Sequence, residues 1–238
     1  GWAHDGPWSL AVKSISLIAT GQTTGPTITA STMATSTTAL ATASKLPRLM
    51  PAEISPPTKT TMPAAASSKA AQQTARQRAL DDGVRIAHET ERDDWHLIQF
   101  HPGDLQAAFL EIETDAQNDF SGHWMPVGGM GWEAQVDQHR TLDFLGVELQ
   151  CTDPQALAEK WSGIIGVAPT HANTAWQVAL NNAQLSFIEL ADNRGPGLSG
   201  IHLRVAAKPG IQRDAAARGC LVTDSSVTVG GVHWHLHA

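Results

Sequence analysis

Residues 145–166 pack a strand, a capped helix start and a complete amphipathic helix into one short run, and a looser copy returns over residues 198–219. Two β-α units in succession, each followed by further strand-like text, constrain the chain to a fold built by repetition. Folds of that kind place a ligand cup between their repeats. Val147 to Cys151 reads as the strand. Asp153-Pro154 reads as the helix start, because the Asp carboxylate can accept from free backbone N–H groups and Pro loses nothing at the first helical position. Leu157, Trp161, Ile164 and Ile165 then fall on one helix face. Gly166 supplies the left-handed stop.

The text on either side completes the pattern. Val84–His88, Trp95–His101 and Ala107–Glu113 read as three strands after a helix tail at Ala75–Leu80. Trp176–Leu180 and Ala183–Leu190 flank Asn181-Asn182, a two-residue link suited to a tight hairpin. Ile201–Val205 opens the last unit, and a short helix follows Pro209 with Ile211 and Ala215 inward. Ser226–Val229 and Val232–His237 close the chain as strands around Gly230-Gly231. Residues 114–140 read as a connecting loop. The fold class is α+β.

The N-terminal third is different. No Phe, Trp or Tyr occurs from Ser9 to Asp94, and Pro47, Pro51, Pro56, Pro57 and Pro63 interrupt any regular element. Such text buries too little apolar area to offset the entropy of ordering its backbone. Two readings of residues 1–78 stand: a low-complexity Thr/Ala/Ser/Pro-rich arm, or a first module scrambled by a shift of reading frame. Residues 79–140 then form a partial module with its connecting loop, and residues 141–238 form paired modules.

Charge and cysteine content narrow the function. Residues 1–80 hold seven Lys/Arg and two Asp/Glu, whereas residues 81–238 hold nine Lys/Arg and twenty-one Asp/Glu. An acidic folded part argues against a nucleic-acid groove. No apolar run approaches the roughly 20 residues of a membrane helix. Cys151 and Cys220 read as structural thiols in a reducing cytosol, so a cytoplasmic location is expected.

Several segments carry a recognisable likeness. Asp82–Glu89, Ile98–Pro102, Phe109–Ile112, Leu149–Pro154 and Val229–Val232 resemble glyoxalase-like domain proteins of the vicinal oxygen chelate superfamily. The resemblance covers roughly the last two-thirds of the chain. It implies repeated βαβββ modules forming a curved, cup-like mixed sheet with helices packed outside. It also implies a small-molecule ligand in the cup and, in many relatives, a divalent metal held by His and Glu. Members include lyases, isomerases, dioxygenases and non-catalytic binding proteins, so the fold does not name a reaction.

In metal-binding relatives a His stands seven residues before the Asp that follows the first strand. Here that position is Gly146, and its counterpart in the last module is Gly200. Glu111 and Glu189 are carboxylates on final strands. Without imidazoles they make a weak site, so no metal centre and no cofactor are expected. Strand alternation puts Gly146, Glu148 and Gln150 on one face, and Gly200, His202 and Arg204 on another. Gln99 and His101 share a face with Trp95, as Glu111 does with Phe109. By the resemblance these polar faces line the cup; ordinary solvent-facing sheet positions are the competing reading.

The expected ligand-binding set is therefore Gln99, His101, Glu111, Glu148, Gln150, His202 and Arg204, with Phe109 and Trp176 as an apolar wall. His233, His235 and His237 share one strand face and read as an exposed edge, since no carboxylate or Cys lies near them in sequence. Glu89 and Glu91, with Asp93-Asp94, read as a solvated turn. The leading function is binding of a small polar or anionic molecule, Arg204 and His202 holding its charge. The alternatives are a metal-dependent lyase or dioxygenase with His101 and Glu111 as ligands, or a truncated non-functional member. A homodimer is the one protein partner expected.

Overall fold

The computed structural model describes residues 68–92, 95–114, 139–180 and 183–238. Almost all of the N-terminal arm, most of the 114–140 loop, Asp93-Asp94 and Asn181-Asn182 lie outside the described residues. The first described element, α1 (Ser68–Asp81), reaches further toward the N-terminus than the expected boundary at residue 78. Ala75 and Ala79 bury one side of it. The buried Gln72 carboxamide donates to the backbone carbonyls of Ile112 (2.8 Å) and His96 (3.2 Å), tying the helix to two strands.

Those strands belong to an antiparallel sheet, β1 (Ile86–Arg92), β2 (Trp95–Phe100) and β3 (Leu110–Thr114), in that order. β1 extends past the expected His88 because its outer half is a polar edge strand with no alternation to read. Glu89 and Glu91 therefore lie in a strand and not in a turn, paired with Arg76 and Lys69 of α1. A single-turn helix, α2 (Pro102–Leu105), joins β2 to β3.

The rest forms two βαβββ modules. The first is β4 (Thr141–Cys151), α3 (Pro154–Ile165), β5 (Thr170–Ala172), β6 (Ala175–Ala179) and β7 (Gln184–Glu189). The second is β8 (Gly197–Val205), α4 (Lys208–Ala216), β9 (Leu221–Val222), β10 (Ser226–Val229) and β11 (Val232–His237). All eight strands share one sheet, ordered β5-β6-β7-β4-β8-β11-β10-β9. Within each module the last strand lies parallel to the first, and the two first strands meet antiparallel. The order is thus the same read from either edge. This is the paired arrangement that the resemblance implies, with the mixed α+β class as expected.

The local chemistry of the first module follows the sequence closely. The Asp153 carboxylate accepts from Ala156 N–H at 3.0 Å. Gly166 takes φ +83° and closes α3 on the Ser162 carbonyl. Leu157, Trp161, Ile164 and Ile165 are all buried. Val147, Leu149 and Cys151 meet them from β4, so the opposite face of the strand is left to polar groups. Burial raises the Cys151 thiol to about 11, and both cysteines are free.

Where the strands differ from expectation, bulges and shortness explain it. β4 begins at Thr141 because its first half pairs with β8, yet register shifts at 141/143 and 144/146 break the two-residue period. β5 and β9 are too short to carry a pattern.

Trp161 joins the larger sheet to α2. Its ring meets Phe187 of β7 edge-on at 5.6 Å, and its indole N–H donates to the Leu105 carbonyl at 3.3 Å. α3 packs on β4, β6 and β7 and also touches α1 and α2. Trp161→Ala is expected to destabilise the chain by about 3–5 kcal/mol in denaturant unfolding.

Candidate functional site

The seam between β4 and β8 decides what the polar face can assemble. Gly146 stands opposite His202, and Glu148 stands opposite Gly200. In the next strand His235 lies beside His202 in parallel register. With no side chain at Gly200, the Glu148 carboxylate sits over that position. One oxygen lies 3.1 Å from His202 Nε2 and the other 3.1 Å from His235 Nε2. The two imidazoles stack at 4.5 Å and 12°. Behind them, His202 Nδ1 lies 2.9 Å from His237 Nε2.

Glu148 is the group of the cluster whose ionisation is set by its partners. An ionised carboxylate only accepts, so both Nε2 atoms carry hydrogen toward it. The hydrogen bonds from His202 and then His235 outweigh desolvation and hold the Glu148 carboxyl down to about 2. Glu148, His202 and His235 keep only 21%, 25% and 25% of their side-chain surface, so the cluster is sheltered yet reachable.

The two glycines explain why this cluster stands where it does. A Cβ at Gly200 would lie 2.5 Å from a Glu148 oxygen and 2.9 Å from His235 Nε2. A Cβ at Gly146 would lie 2.2 Å from the Gln184 carbonyl oxygen of β7. Side chains thus fill the space beside Gly200, and backbone fills the space beside Gly146. Glu148 and His202 stand two residues beyond Gly146 and Gly200 along the same strands. His235 joins them across the parallel pair, although no carboxylate lies near it in sequence. The signal that finds it is the parallel pairing of first and last module strands, which sets residue 235 beside residue 202.

The other expected site residues are dispersed. Gln150 is buried and committed: it donates to Asp192 (3.0 Å) and the Gly195 carbonyl (2.7 Å), and accepts from Ala191 N–H (3.2 Å). It clamps the loop between β7 and β8. Arg204 pairs with Asp143 at 2.7 Å. Gln99 donates to Glu111 at 2.6 Å, both in the smaller sheet. His101 caps α2, its Nδ1 accepting from Gly103 N–H at 3.1 Å. Trp176 faces the helix side, directly opposite the buried Phe187. Glu189 shares the Cys151 register and so lies on the face opposite to Glu148. Phe109 lies just before β3, partly exposed. His233 contacts Thr228 Oγ1 through Nδ1 at 3.2 Å.

Two imidazole nitrogens and one carboxylate oxygen lie within 4.8 Å of one another, the only such group of three among the described residues. The donor set fits a divalent ion. Both nitrogens lie beside the carboxylate and would offer lone pairs to an ion once their hydrogens leave, and imidazole with carboxylate suits zinc, iron or manganese.

No protein-family model matches the chain, and neither does any curated protein. Among solved structures, methylmalonyl-CoA epimerase from Mycobacterium tuberculosis is similar at 17% identity and a TM-score of 0.35, over 42% of this chain and 90% of that one. A hypothetical protein from Staphylococcus aureus is similar at 10% identity and 0.42, over 68% and 60%. The Streptomyces coelicolor methylmalonyl-CoA epimerase gives 14% and 0.30, over 40% and 96%. At these values the fold rests on the strand order itself.

Gly200→Ala is expected to separate Glu148 from His235 at modest cost, because only side-chain ends need move. Gly146→Ala meets backbone and should lose more stability. Denaturant melts compare the two, and the His235 Nε2–H resonance reports the lost contact. Acid stability gives a second check. The Glu148 carboxyl is depressed from 4.5 to about 2. Its contribution is therefore complete above pH 4.5 and is lost as pH falls toward 2. Glu148→Gln should flatten the stability profile across that window.

Proposed function

We propose that the polar face of the eight-stranded sheet binds a small, oxygen-bearing molecule through a divalent ion held by Glu148, His202 and His235. The convergence of those three side chains carries this reading. Three protein ligands leave coordination positions for a ligand, which distinguishes a reactive site from a closed structural one. An ion there would supply Lewis acidity toward a ligand oxygen. Within the chain, Glu148 brings the only negative charge of the trio, and the stacked imidazoles hold their nitrogens toward it. The reading agrees with the metal-dependent branch of the vicinal oxygen chelate resemblance.

Metal-free anion binding is the weaker reading. Its anchor, Arg204, already directs a guanidinium nitrogen at Asp143. No helix among the described residues is long and apolar enough to cross a membrane.

Chelator-treated protein should take up one equivalent of zinc, manganese or ferrous iron by calorimetry. Glu148→Ala, His202→Ala and His235→Ala should each abolish stoichiometric binding. Glu111→Ala should bind like the parent chain, because Glu111 lies in the smaller sheet. Absence of binding, or binding indifferent to the three substitutions, overturns the reading.

A further inference from the structure

We propose that the ligand of this site is uncharged at the end away from the ion, where it presents a neutral hydrogen-bonding group such as a carboxamide or hydroxyl to Gln177, Gln184 and Ser186. The inference deepens the metal reading above and rests on it for the place of the ligand's other end. Parallel register sets Ser186 beside Glu148 and Gln184 beside Gly146. Antiparallel register sets Gln177 beside Ser186. All three side chains therefore share the polar face with the cluster. Strands lie about 4.8 Å apart, so at the backbone Ser186 stands about 5 Å from Glu148 and Gln177 about 10 Å. Gly146 adds no side chain between Gln184 and His202, which leaves that row of the face open.

The hydrogen-bonding capacity of these three residues is unspent. All are half-buried, and among the described residues none of their side chains makes a hydrogen bond. Other polar groups of the face are committed. Gln150 holds Asp192 and the Gly195 carbonyl, and Arg204 holds Asp143. In the second module Ser226 contacts Thr223 at 2.9 Å, and Thr228 contacts His233 at 3.2 Å. A carboxamide left without a partner is costly once a ligand excludes water from it, so the ligand itself must supply donor and acceptor. Charge then decides the class of that group. β5, β6 and β7 hold no Lys or Arg. An anionic end placed over them would lose water with no cation to offset the loss. A cationic end finds no acid there either, because Glu189 lies on the opposite face of β7. A neutral group uses the carboxamide N–H and C=O together.

The test compares three hydroxamates on the zinc-loaded protein by calorimetry: acetohydroxamate, and two succinyl monohydroxamates whose far end is a carboxamide or a carboxylate. Acetohydroxamate has no far end and reports the ion alone. The carboxamide probe should bind about 3–10-fold more tightly than the carboxylate probe. Gln177→Ala combined with Gln184→Ala should erase that preference. Neither side chain holds another segment among the described residues, so the fold should survive the change. In the metal-free protein, succinamide should shift the side-chain amide NMR signals of Gln177 and Gln184, and succinate should not. If zinc binds but the carboxamide probe binds no tighter than the carboxylate probe, or the preference survives the double substitution, the uncharged end is overturned while the metal site stands. If zinc does not bind but succinamide alone shifts both signals, the metal reading falls and the uncharged end stands. If zinc does not bind and succinamide fails to shift them selectively, both are overturned.

Discussion

The antiparallel seam between β4 and β8 is the constraint from which the rest follows. It joins the two modules through their first strands and sets Glu148 against Gly200 and Gly146 against His202. A one-residue slip would turn Glu148 and His202 to the helix side and bring Val147, Leu149 and Ile201 onto the polar face. Burial of those apolar residues under the helices therefore fixes the site's register as well as the core. The module that contributes least to the site still contributes to this register. Trp161 ties α3 to the α1 unit through the Leu105 carbonyl, so the helix layer is held from both sides.

At the seam, one carboxylate is shared by two imidazoles. A half-buried Glu with no partner would take up a proton more readily; here two directed N–H groups reverse that, and the carboxyl stays ionised. The same geometry that stabilises the charge arranges three metal-type donors. Neighbouring charges are neutralised separately, as in the pairs Arg204–Asp143 and Arg194–Asp192. Gln150, which shares the face of Glu148, is consumed by the loop between β7 and β8. The polar face thus divides by function into structural clamps and one convergent cluster.

Most of the fold was legible because its elements announce themselves locally. Asp153, Pro154 and Gly166 bracket α3, and the 3.6-residue period of its apolar side chains matches what is buried. Ile211 and Ala215 mark α4 in the same way. The first half of β4 was hidden by bulges, and β1 by its exposed edge. The site was only half legible. Alternation puts Glu148 and His202 on polar faces, but it says nothing about which strands become neighbours. His235 is 87 residues from Glu148 in sequence, and only the parallel pairing of β11 with β8 brings it there. Gln99 and Glu111 have the right alternation in the wrong sheet. His101 has the right residue type but lies past the strand end, where its ring serves a cap.

The near symmetry of the two modules shows how the cluster is built. Gly146 and Gly200 each lie seven residues before a helix cap, Asp153 and Ala207, so they are equivalent positions. Glu148 and His202, two residues further on, are then equivalent as well. His235 pairs with His202 as Ser186 pairs with Glu148. The cluster therefore occupies three of four symmetry-related positions, one pleat along the strands from the glycines, about 7 Å. The fourth position carries only a short hydroxyl. A complete set of four strong donors would close the coordination of an ion against the protein. On the proposed metal reading, three strong donors with serine at the fourth would leave that quarter of the face to a ligand, so the reading draws on the asymmetry between the modules.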